Sequence, residues 1–236
     1  MKITPAKLSA FKREVWNYYK KNKRVFPWRE TKDPYRILVS EIMLQQTQAD
    51  RVVVKYNSFI QKWPTVKKLA DADVRDVLKE WSGLGYNRRG KNLWLLAKTV
   101  VANDAGVIPN TPEELEKLPG VGPYTARAIL AFAFSKPYSC IETNIRAVFI
   151  YYFFPKSKSK TTAKIADDTL FPLIEKTLDK KNPREWYYAL MDYGSYLKKQ
   201  KLSTNDRHKI YRKQTVFKGS TREARGAIMR ELITSH

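Results

Sequence analysis

Apolar side chains recur every three or four residues along most of the chain, which is the spacing that places them on one face of an α-helix. Near the N-terminus Leu8, Phe11, Val15 and Tyr19 follow this spacing, with basic residues between them. No segment shows the run of paired strands that a β-sheet would need. The pattern therefore predicts an all-α protein.

The predicted helices are short, so none is expected to be stable alone, and they must pack on one another. One helix follows a Thr47 cap and continues through Phe59, and two more lie within residues 111–134. The other helices are predicted over residues 6–20, 35–46, 66–70, 73–81, 88–103, 166–179, 183–198 and 220–232.

The order of these helices indicates a discontinuous domain, because one helix precedes residue 26 and three follow the central region. We expect residues 30–138 to form a helical barrel domain. Residues 1–29 and 139–202 would together form a helical bundle. Residues 203–236 would form a basic tail whose last helix packs on the bundle.

The sharpest local pattern is a helix, a tight turn and a second helix over about residues 112–134. Thr111 and Glu114 form a capping box that opens the first helix. The segment Leu118-Pro119-Gly120-Val121-Gly122-Pro123 then turns the chain, and Pro123 begins the second helix. Glycines permit close backbone approach, and the amides at the start of the second helix could bind an anionic phosphate.

The charge of the chain indicates a polyanionic partner. The sequence has 45 Lys and Arg residues against 23 Asp and Glu, which gives a formal net charge of +22 over 236 residues. Because 43% of the residues are hydrophobic and 13% aromatic, the chain can bury a core and is not disordered. Such a basic excess most often marks nucleic acid, and charge that serves only solubility is the alternative.

Cysteine and histidine are scarce, so any chemistry must rest on carboxylates. Cys140 is the single cysteine, which excludes an internal disulfide framework and a thiolate metal site supplied by this chain alone. The only histidines are His208 and His236, so a catalytic triad is not expected. The first residues lack the apolar core of a signal peptide, and no apolar run is long enough for a membrane span. We expect an intracellular, cytoplasmic or nucleoid-associated protein with no membrane partner.

Glu41 lies inside an otherwise apolar predicted helix. It is four residues before Gln45 and one turn after Ile37, so the three side chains share roughly one helix face. A carboxylate in such a place is either paired, for example with Arg36, or functional, because an isolated buried charge is costly.

Five motifs follow one another along the chain. They are Pro27-Trp28-Arg29, Ser40-Glu41-Ile42-Met43-Leu44-Gln45-Gln46-Thr47-Gln48, Gly83-Leu84-Gly85-Tyr86, Leu118-Pro119-Gly120-Val121-Gly122-Pro123-Tyr124-Thr125 and Ala189-Leu190-Met191-Asp192-Tyr193-Gly194. Together they resemble the helix-hairpin-helix DNA glycosylases that include endonuclease III, and most closely the adenine-removing mismatch enzymes of the MutY type. Their order and spacing match that family from about residue 8 to about residue 198. The resemblance implies a two-lobed all-α fold with the active-site cleft between the lobes.

The resemblance also implies catalytic roles. Glu41 would be the general acid that protonates the departing adenine, and Tyr124 would assist near the reacting sugar. Glu142 and Asn144 stand where the family has an Asp and an Asn, and that Asp stabilises the positive charge developing on the sugar. Arg29 and Asp192 would line the base pocket.

Further residues would contact DNA. Gln46 matches the side chain that is wedged into the helix where the base leaves, while Leu84 and Tyr86 match residues at the opposite base. A plain polar interhelical turn is the alternative interpretation of the glutamine-rich segment. The full expected DNA-binding set is Gln45, Gln46, Thr47, Leu84, Tyr86, Gly120, Val121, Gly122 and Thr125.

The chemistry of N-glycosidic bond hydrolysis independently requires two carboxyl groups of this kind. The reaction passes through an oxocarbenium-like state, so it requires one protonated carboxyl to activate the leaving group and one carboxylate to stabilise charge. The target base is inaccessible inside the duplex and must be flipped out, at a cost of roughly a few kcal/mol.

Three departures from the family pattern change the expectation. Glu142 is one methylene longer than the family's Asp, and a capping or surface glutamate is the alternative interpretation.

The family's four cysteines are absent after Asp192, so we expect no iron–sulfur cluster and no other metal, apart from a monovalent cation that relatives hold at the hairpin turn. The basic tail could replace the cluster or simply be solvated. We also expect no counterpart of the family's C-terminal domain that examines 8-oxoguanine, so the resemblance does not define which opposite base is selected.

We therefore expect a monomeric DNA-repair glycosylase that excises a base, most readily adenine, from double-stranded DNA carrying a mismatch or damaged base. Tyr124 stands where strand-cleaving relatives have the lysine that forms a Schiff base, so the enzyme should be monofunctional. A thymine or uracil mismatch glycosylase of the same fold is one alternative. A non-catalytic protein that binds damaged DNA is another.

Overall fold

The structure is a computed structural model, and it describes residues 3–155, 164–202, 207 and 219–234. Within these ranges the chain is all-α, as predicted, with twelve α-helices and a 3-10 helix at Pro27–Arg29. The α-helices are α1 (Pro5–Asn22), α2 (Pro34–Leu44), α3 (Ala49–Lys62), α4 (Val66–Ala70), α5 (Val74–Trp81), α6 (Arg88–Asp104), α7 (Pro112–Glu116), α8 (Pro123–Phe134), α9 (Thr143–Phe153), α10 (Asp167–Thr177), α11 (Pro183–Lys199) and α12 (Thr221–Thr234).

The chain divides into two compact units. The hairpin unit contains the described residues within Phe26–Ile129 and Lys213–His236, and the bundle unit contains those within Met1–Val25 and Leu130–Arg212. Both units are therefore assembled from separate parts of the chain. A discontinuous bundle is what the order of the predicted helices indicated.

The hairpin unit is built around α2 and α6. Helix α2 packs on α3 and α6, while α6 also packs on α4 and α5. Trp81 and Phe59 are fully buried in this core. The indole of Trp81 occupies the space beside Gly90, where a Cβ atom would lie only 2.8 Å from the ring. Glycine is thus the residue that lets α5 and α6 approach this closely.

The bundle unit is built around α9, which packs on α10 and α11, while α1 packs on α11. Its centre is aromatic: the ring of Phe11 lies 4.9–6.1 Å from the rings of Phe149, Tyr152, Phe153 and Trp186. Aromatic pairs at this distance add to the stability that apolar burial supplies.

Sequence inspection did not predict helix α9. The segment from Thr143 to Phe153 is rich in β-branched and aromatic residues, and most of its side chains are buried. A helix that is apolar around most of its circumference shows no amphipathic period, so the pattern on which prediction depends is missing. Its position in the centre of the bundle explains that composition.

The capping box predicted at Thr111 is confirmed, a similar cap opens the last helix, and the cap predicted at Thr47 is wrong. The Thr111 hydroxyl accepts the Glu114 amide (3.4 Å), and Ser220 accepts the Glu223 amide (3.4 Å). By contrast, α3 begins after Gln48 and no side chain caps it. The Thr47 hydroxyl is engaged elsewhere, because it accepts a bond from a guanidinium and donates to a carbonyl of another turn.

The C-terminal helix differs from the expectation in its packing. Helix α12 belongs to the hairpin unit and lies against α5, whereas we expected the tail to pack on the bundle. The side chains of α12 that are described are mostly exposed. The Lys/Ser/Thr-rich composition of residues 155–168 predicts a loop or a basic contact. Residues 156–163 of this segment and residues 203–206 and 208–218 of the tail lie outside the described residues.

No helix among the described residues combines the length and the apolar character that crossing a membrane requires.

Candidate active site

Helix α2 carries the candidate acid in an almost wholly buried setting. Asp33 caps the helix by accepting the amides of Tyr35 and Arg36 (2.8 and 3.1 Å). The side chain of Glu41 is only 8% exposed and lies between buried apolar neighbours on the same helix. Arg36, the alternative partner proposed for it, is exposed and lies five residues away, on a different side of the helix.

The end of α2 is bonded to the helix-hairpin-helix. The side-chain amide of Gln45 donates to the Thr125 hydroxyl (3.2 Å) and lies 3.5 Å from the carbonyl oxygen of Gly120. Gln45 follows Glu41 by one helical turn, so the bond fixes the carboxyl-bearing helix relative to the hairpin. The structure thus brings together Gln45, Gly120 and Thr125 from the expected set.

Gln46 is exposed and adopts a left-handed backbone conformation (φ +56°). Residues other than glycine adopt this conformation at a cost of roughly 1–3 kcal/mol, and such positions cluster at functional sites. The strained turn separates α2 from α3. It presents the Gln46 side chain to solvent, as a DNA wedge would require.

The hairpin offers its backbone rather than its side chains. Gly120 has φ +83°, and the Val121 amide donates to the Leu118 carbonyl (3.1 Å), which closes the turn. The side chains of Val121 and Thr125 are buried, so the contact with DNA that we expect of this turn would come from its backbone. The first amides of α8 have no partner within the helix and are the groups suited to a phosphate.

The turn after α5 separates two residues that we expected to act alike. Leu84 is 4% exposed and belongs to the core, so its expected contact with DNA is not supported. Tyr86 is 46% exposed and has a left-handed backbone (φ +50°). Of these two side chains, only that of Tyr86 is exposed enough to meet a ligand.

Arg29 and Tyr124 complete the expected set in the hairpin unit. Arg29 ends the 3-10 helix, and its guanidinium lies 5.2 Å from the Phe26 ring centre. Tyr124 lies in the first turn of α8 and is half-buried. Their roles in a base pocket stay predictions.

Glu142 and Asn144 are brought together in the bundle unit. The Glu142 carboxylate caps α9: Oε1 accepts the amides of Asn144 (2.8 Å) and Ile145 (2.9 Å), and Oε2 accepts the Asn144 side-chain amide (3.2 Å). The capping interpretation of Glu142 is therefore correct as geometry. A cap of this kind also places a carboxylate at the positive end of a helix, where negative charge is stabilised.

The segment that leads to Glu142 is held by α11. The buried Tyr187 hydroxyl donates to the Tyr138 carbonyl (2.8 Å) and accepts the Cys140 amide (3.1 Å). Gly194 of the same helix packs directly on the backbone of Asn144, where no Cβ atom would fit. Sequence reasoning missed the role of Tyr187, since a tyrosine inside an apolar helix predicts only a core position.

Burial raises the pKa of the Glu142 carboxyl above its ordinary value. Hydrogen bonds from Asn144 and Ile145 and the charge of Arg146 oppose this effect without cancelling it. The carboxyl thus becomes ionised at a higher pH than a free glutamate does.

Asp192 has a different immediate role from the one expected. Its side chain is 1% exposed, and its carboxylate accepts the Arg24 Nε (2.6 Å) and the Arg24 amide (3.0 Å). Arg24 follows α1, so Asp192 ties the end of α1 to α11. The position of Asp192 in a base pocket stays a prediction.

The described residues contain no cluster of three or more His, Cys, Asp or Glu side chains with the spacing of a metal site. Cys140 is buried.

A short helix, a glycine turn and a second helix, joined to a buried carboxyl-bearing helix, define a helix-hairpin-helix protein. Comparisons with known proteins give the family. The family model described as "HhH-GPD superfamily base excision DNA repair protein" matches residues 39–171, and the chain belongs to this family.

Individual relatives agree with this assignment. The chain is 36% identical to the adenine DNA glycosylase of Buchnera aphidicola subsp. Baizongia pistaciae over 189 residues, 79% of this chain and 52% of the relative. It is 43% identical to the adenine DNA glycosylase of Mycobacterium tuberculosis over 132 residues, 56% of this chain and 43% of the relative. The chain thus spans about half the length of these curated relatives, or less.

Among solved structures, that of a thermostable thymine-DNA glycosylase superposes with a TM-score of 0.70 at 27% sequence identity. The superposition covers 80% of this chain and 87% of that one. The all-α helix-hairpin-helix fold expected from the motifs is confirmed.

Proposed function

We propose that this chain is a monofunctional DNA glycosylase that flips a base out of duplex DNA and hydrolyses its N-glycosidic bond. The leading substrate is adenine in a mismatch. Support comes from the adenine DNA glycosylases that share 33–43% of their residues with the aligned parts of this chain. The formal charge of +22 suits a DNA partner.

The observation that carries the proposal is the setting of Glu41. A carboxyl that is nearly excluded from water stands one helical turn before a glutamine that is bonded to the hairpin. The hairpin is the element suited to holding a phosphate, so the same rigid helix would relate the acid to the DNA backbone. A purely structural carboxyl would gain nothing from that connection.

Each carboxyl has a distinct task in the proposed reaction. Glu41 would donate a proton to the leaving base as the bond between the base and the sugar lengthens. Glu142, in its ionised form, would stabilise the positive charge that develops on the sugar and orient the attacking water. The amides that bind Glu142 hold its carboxylate in one orientation, which avoids reorganisation during the reaction.

Two further features of the proposal concern Tyr124 and the cofactor. A phenol cannot form a Schiff base with the sugar, so the DNA strand should stay intact after base release. We also propose that the chain acts without an iron–sulfur cluster, because its single cysteine cannot supply the ligands. The monovalent cation at the hairpin turn stays a prediction.

A second candidate substrate is thymine or uracil opposite guanine. The superposition on a thymine-DNA glycosylase covers 87% of that chain, a larger share than the curated adenine enzymes give. The glutamate at position 142, where the resemblance implies aspartate, also weakens the case for adenine.

The experiment is a substrate panel under single-turnover conditions. The protein is incubated with duplexes that carry A opposite 8-oxoguanine, A opposite G, T opposite G or U opposite G, with a fully paired duplex as the control. Alkali then cleaves any abasic site. We expect cleavage after alkali in an adenine mismatch, none before alkali, and no covalent adduct on borohydride treatment.

The other outcomes separate the alternatives. Cleavage only in the T or U duplexes would favour the second candidate, and strand cleavage without alkali would contradict the monofunctional mechanism. Tight binding to mismatched duplexes with no base released from any of them would identify a non-catalytic DNA-binding protein.

A further inference from the structure

Two exposed side chains in the hairpin unit project from strained turns that are far apart in the sequence. Gln46 follows α2 and Tyr86 follows α5, and both have left-handed backbones. Neither residue is glycine, so each conformation must be stabilised by its surroundings. The surroundings have one side chain in common, that of Arg89 at the start of α6.

One arm of the Arg89 guanidinium binds the end of α2. Its Nη1 donates to the carbonyls of Ile42 (2.8 Å) and Met43 (2.9 Å). These carbonyls belong to the last turn of the helix, where no amide partner remains within the helix. A positive charge at the C-terminal end of a helix also interacts favourably with the helix dipole. Arg89 therefore fixes the part of α2 that directly precedes Gln46.

The other arm joins the two turns. Its Nη2 donates to the Thr47 hydroxyl (3.0 Å), which follows Gln46, and to the carbonyls of Leu84 (3.1 Å) and Gly85 (3.0 Å), which precede Tyr86. Thr47 also donates directly to the Leu84 carbonyl (3.3 Å). The Nη2 atom of Arg89 thus binds both the turn that carries Gln46 and the turn that carries Tyr86.

The guanidinium is held in place by aromatic rings as well. It lies 5.4 Å from the Trp81 ring centre and 5.7 Å from that of Tyr86. Burial lowers the pKa of Arg89 to about 10, so the group keeps its charge at neutral pH. A second cation, Arg51, binds the remaining carbonyl of the turn, that of Gly83 (3.0 Å).

We propose that Arg89 is a positioning residue that holds Gln46 and Tyr86 as one rigid pair, so that both enter the DNA duplex together when a base is flipped. The last clause rests on the proposed function, whereas the mechanical coupling of the two turns does not. Five acceptors lie within 3.1 Å of the two terminal nitrogens of a planar fork, which explains why this position needs arginine. A lysine ammonium is a single charged group with three donors, so it cannot bind the end of α2 and both turns at the same time.

Hydrogen exchange tests the coupling without any DNA. The Thr47 amide is bonded to the Leu44 carbonyl (3.2 Å) and the Leu84 amide to the Trp81 carbonyl (3.1 Å), so each turn contains an amide whose exchange reports on that turn. In Arg89→Lys both amides should exchange roughly 10- to 100-fold faster, which corresponds to the loss of charged hydrogen bonds. Arg75→Lys makes the same substitution at an exposed position of α5 and should change neither amide.

Thr47→Val provides a second variant in case Arg89→Lys does not fold. It removes only the hydroxyl that links the Gln46 turn to Arg89 and Leu84, and it should accelerate exchange at both turns to a smaller extent. Unchanged exchange at either turn in a folded variant, with a melting temperature close to that of the wild type, would overturn the proposal.

The functional part is tested with a double-mutant cycle on duplex DNA. Arg89→Lys should lower the single-turnover rate of base release by about 10²-fold, with a parallel loss of the fluorescence rise of 2-aminopurine at the target position. Combined with Gln46→Ala, the effect should be clearly smaller than the product of the single effects. A multiplicative effect would show that Arg89 does not act through Gln46. If the wild type releases no base, the proposed function fails, and hydrogen exchange alone decides whether Arg89 couples the turns.

Discussion

Glu41→Gln is expected to lower the rate of base release by about 10²–10⁴-fold, the usual contribution of a general acid. Glutamine has the same shape but carries no acidic proton for the leaving base. Because glutamine is nearly the same size as glutamate, the substitution leaves no cavity at this nearly buried position. The protein should therefore stay folded, and its affinity for the duplex should change by only a few-fold.

The measurement is a single-turnover time course on the best duplex of the panel, with affinity measured separately on a non-cleavable analogue. Glu175→Gln makes the same substitution at an exposed position of α10 and serves as the control. If Glu41→Gln releases the base at the wild-type rate, Glu41 is not the acid.

Glu142→Gln is expected to lower the rate by about 10²–10³-fold, since it removes a charge that stabilises the transition state. Glutamine retains an oxygen that can accept the amides of Asn144 and Ile145, so α9 should still begin at the same residue. Single-turnover rates measured against pH check this expectation. Glu142→Asp retains a carboxylate. It should therefore keep a measurable rate of base release, and that rate should still fall at low pH.

The pH dependence follows from the raised pKa of Glu142. As the pH falls through that pKa, the carboxylate becomes protonated and the rate should fall, beginning at a higher pH than the usual value of about 4.3 would give. Glu142→Gln should lack this limb. A wild-type profile that stays flat through the range of a raised glutamate pKa would contradict the role of Glu142.

Folding stability should show the opposite trend to the rate. Between the ordinary pKa of glutamate and the raised folded-state value, the folded protein binds more protons at Glu142 than the unfolded chain does. Stability from this group is therefore present below the unfolded pKa and is lost as the pH rises through the folded one. Thermal unfolding of Glu142→Gln should lack this contribution.

The elements that sequence reasoning predicted well are those with local causes. The capping residues Thr111 and Ser220 act on amides three residues away, so the pattern and the structure agree. The hairpin turn is similarly determined by its own glycines. Helix α9 was missed because its environment, and not its own period, makes it helical.

The parts of the candidate site that could not be predicted depend on distant contacts. Thr47 has the residue type of a helix cap, yet Arg89 and Leu84 bind its hydroxyl. Leu84 and Tyr86 are two residues apart in one motif, but the core takes the first and solvent the second. Asp192 is paired with Arg24, which lies 168 residues away.

Arg89 illustrates the same limit. It follows the Gly83-Leu84-Gly85-Tyr86 motif by three residues, and in a chain with 45 basic residues it is not distinguished from its neighbours. Arg88 beside it is exposed, whereas the guanidinium of Arg89 reaches five acceptors. Only the folded arrangement of α2, α5 and α6 separates the two.

Detection of the released base tests the central claim most directly. A duplex carrying adenine opposite 8-oxoguanine is incubated with excess protein, and mass spectrometry then measures both the free base and the DNA strand. We predict one free adenine for each strand consumed and an unbroken strand that carries an abasic site. Full binding of this duplex and of the G·A, G·T and G·U duplexes, with no free base from any of them, would contradict the claim.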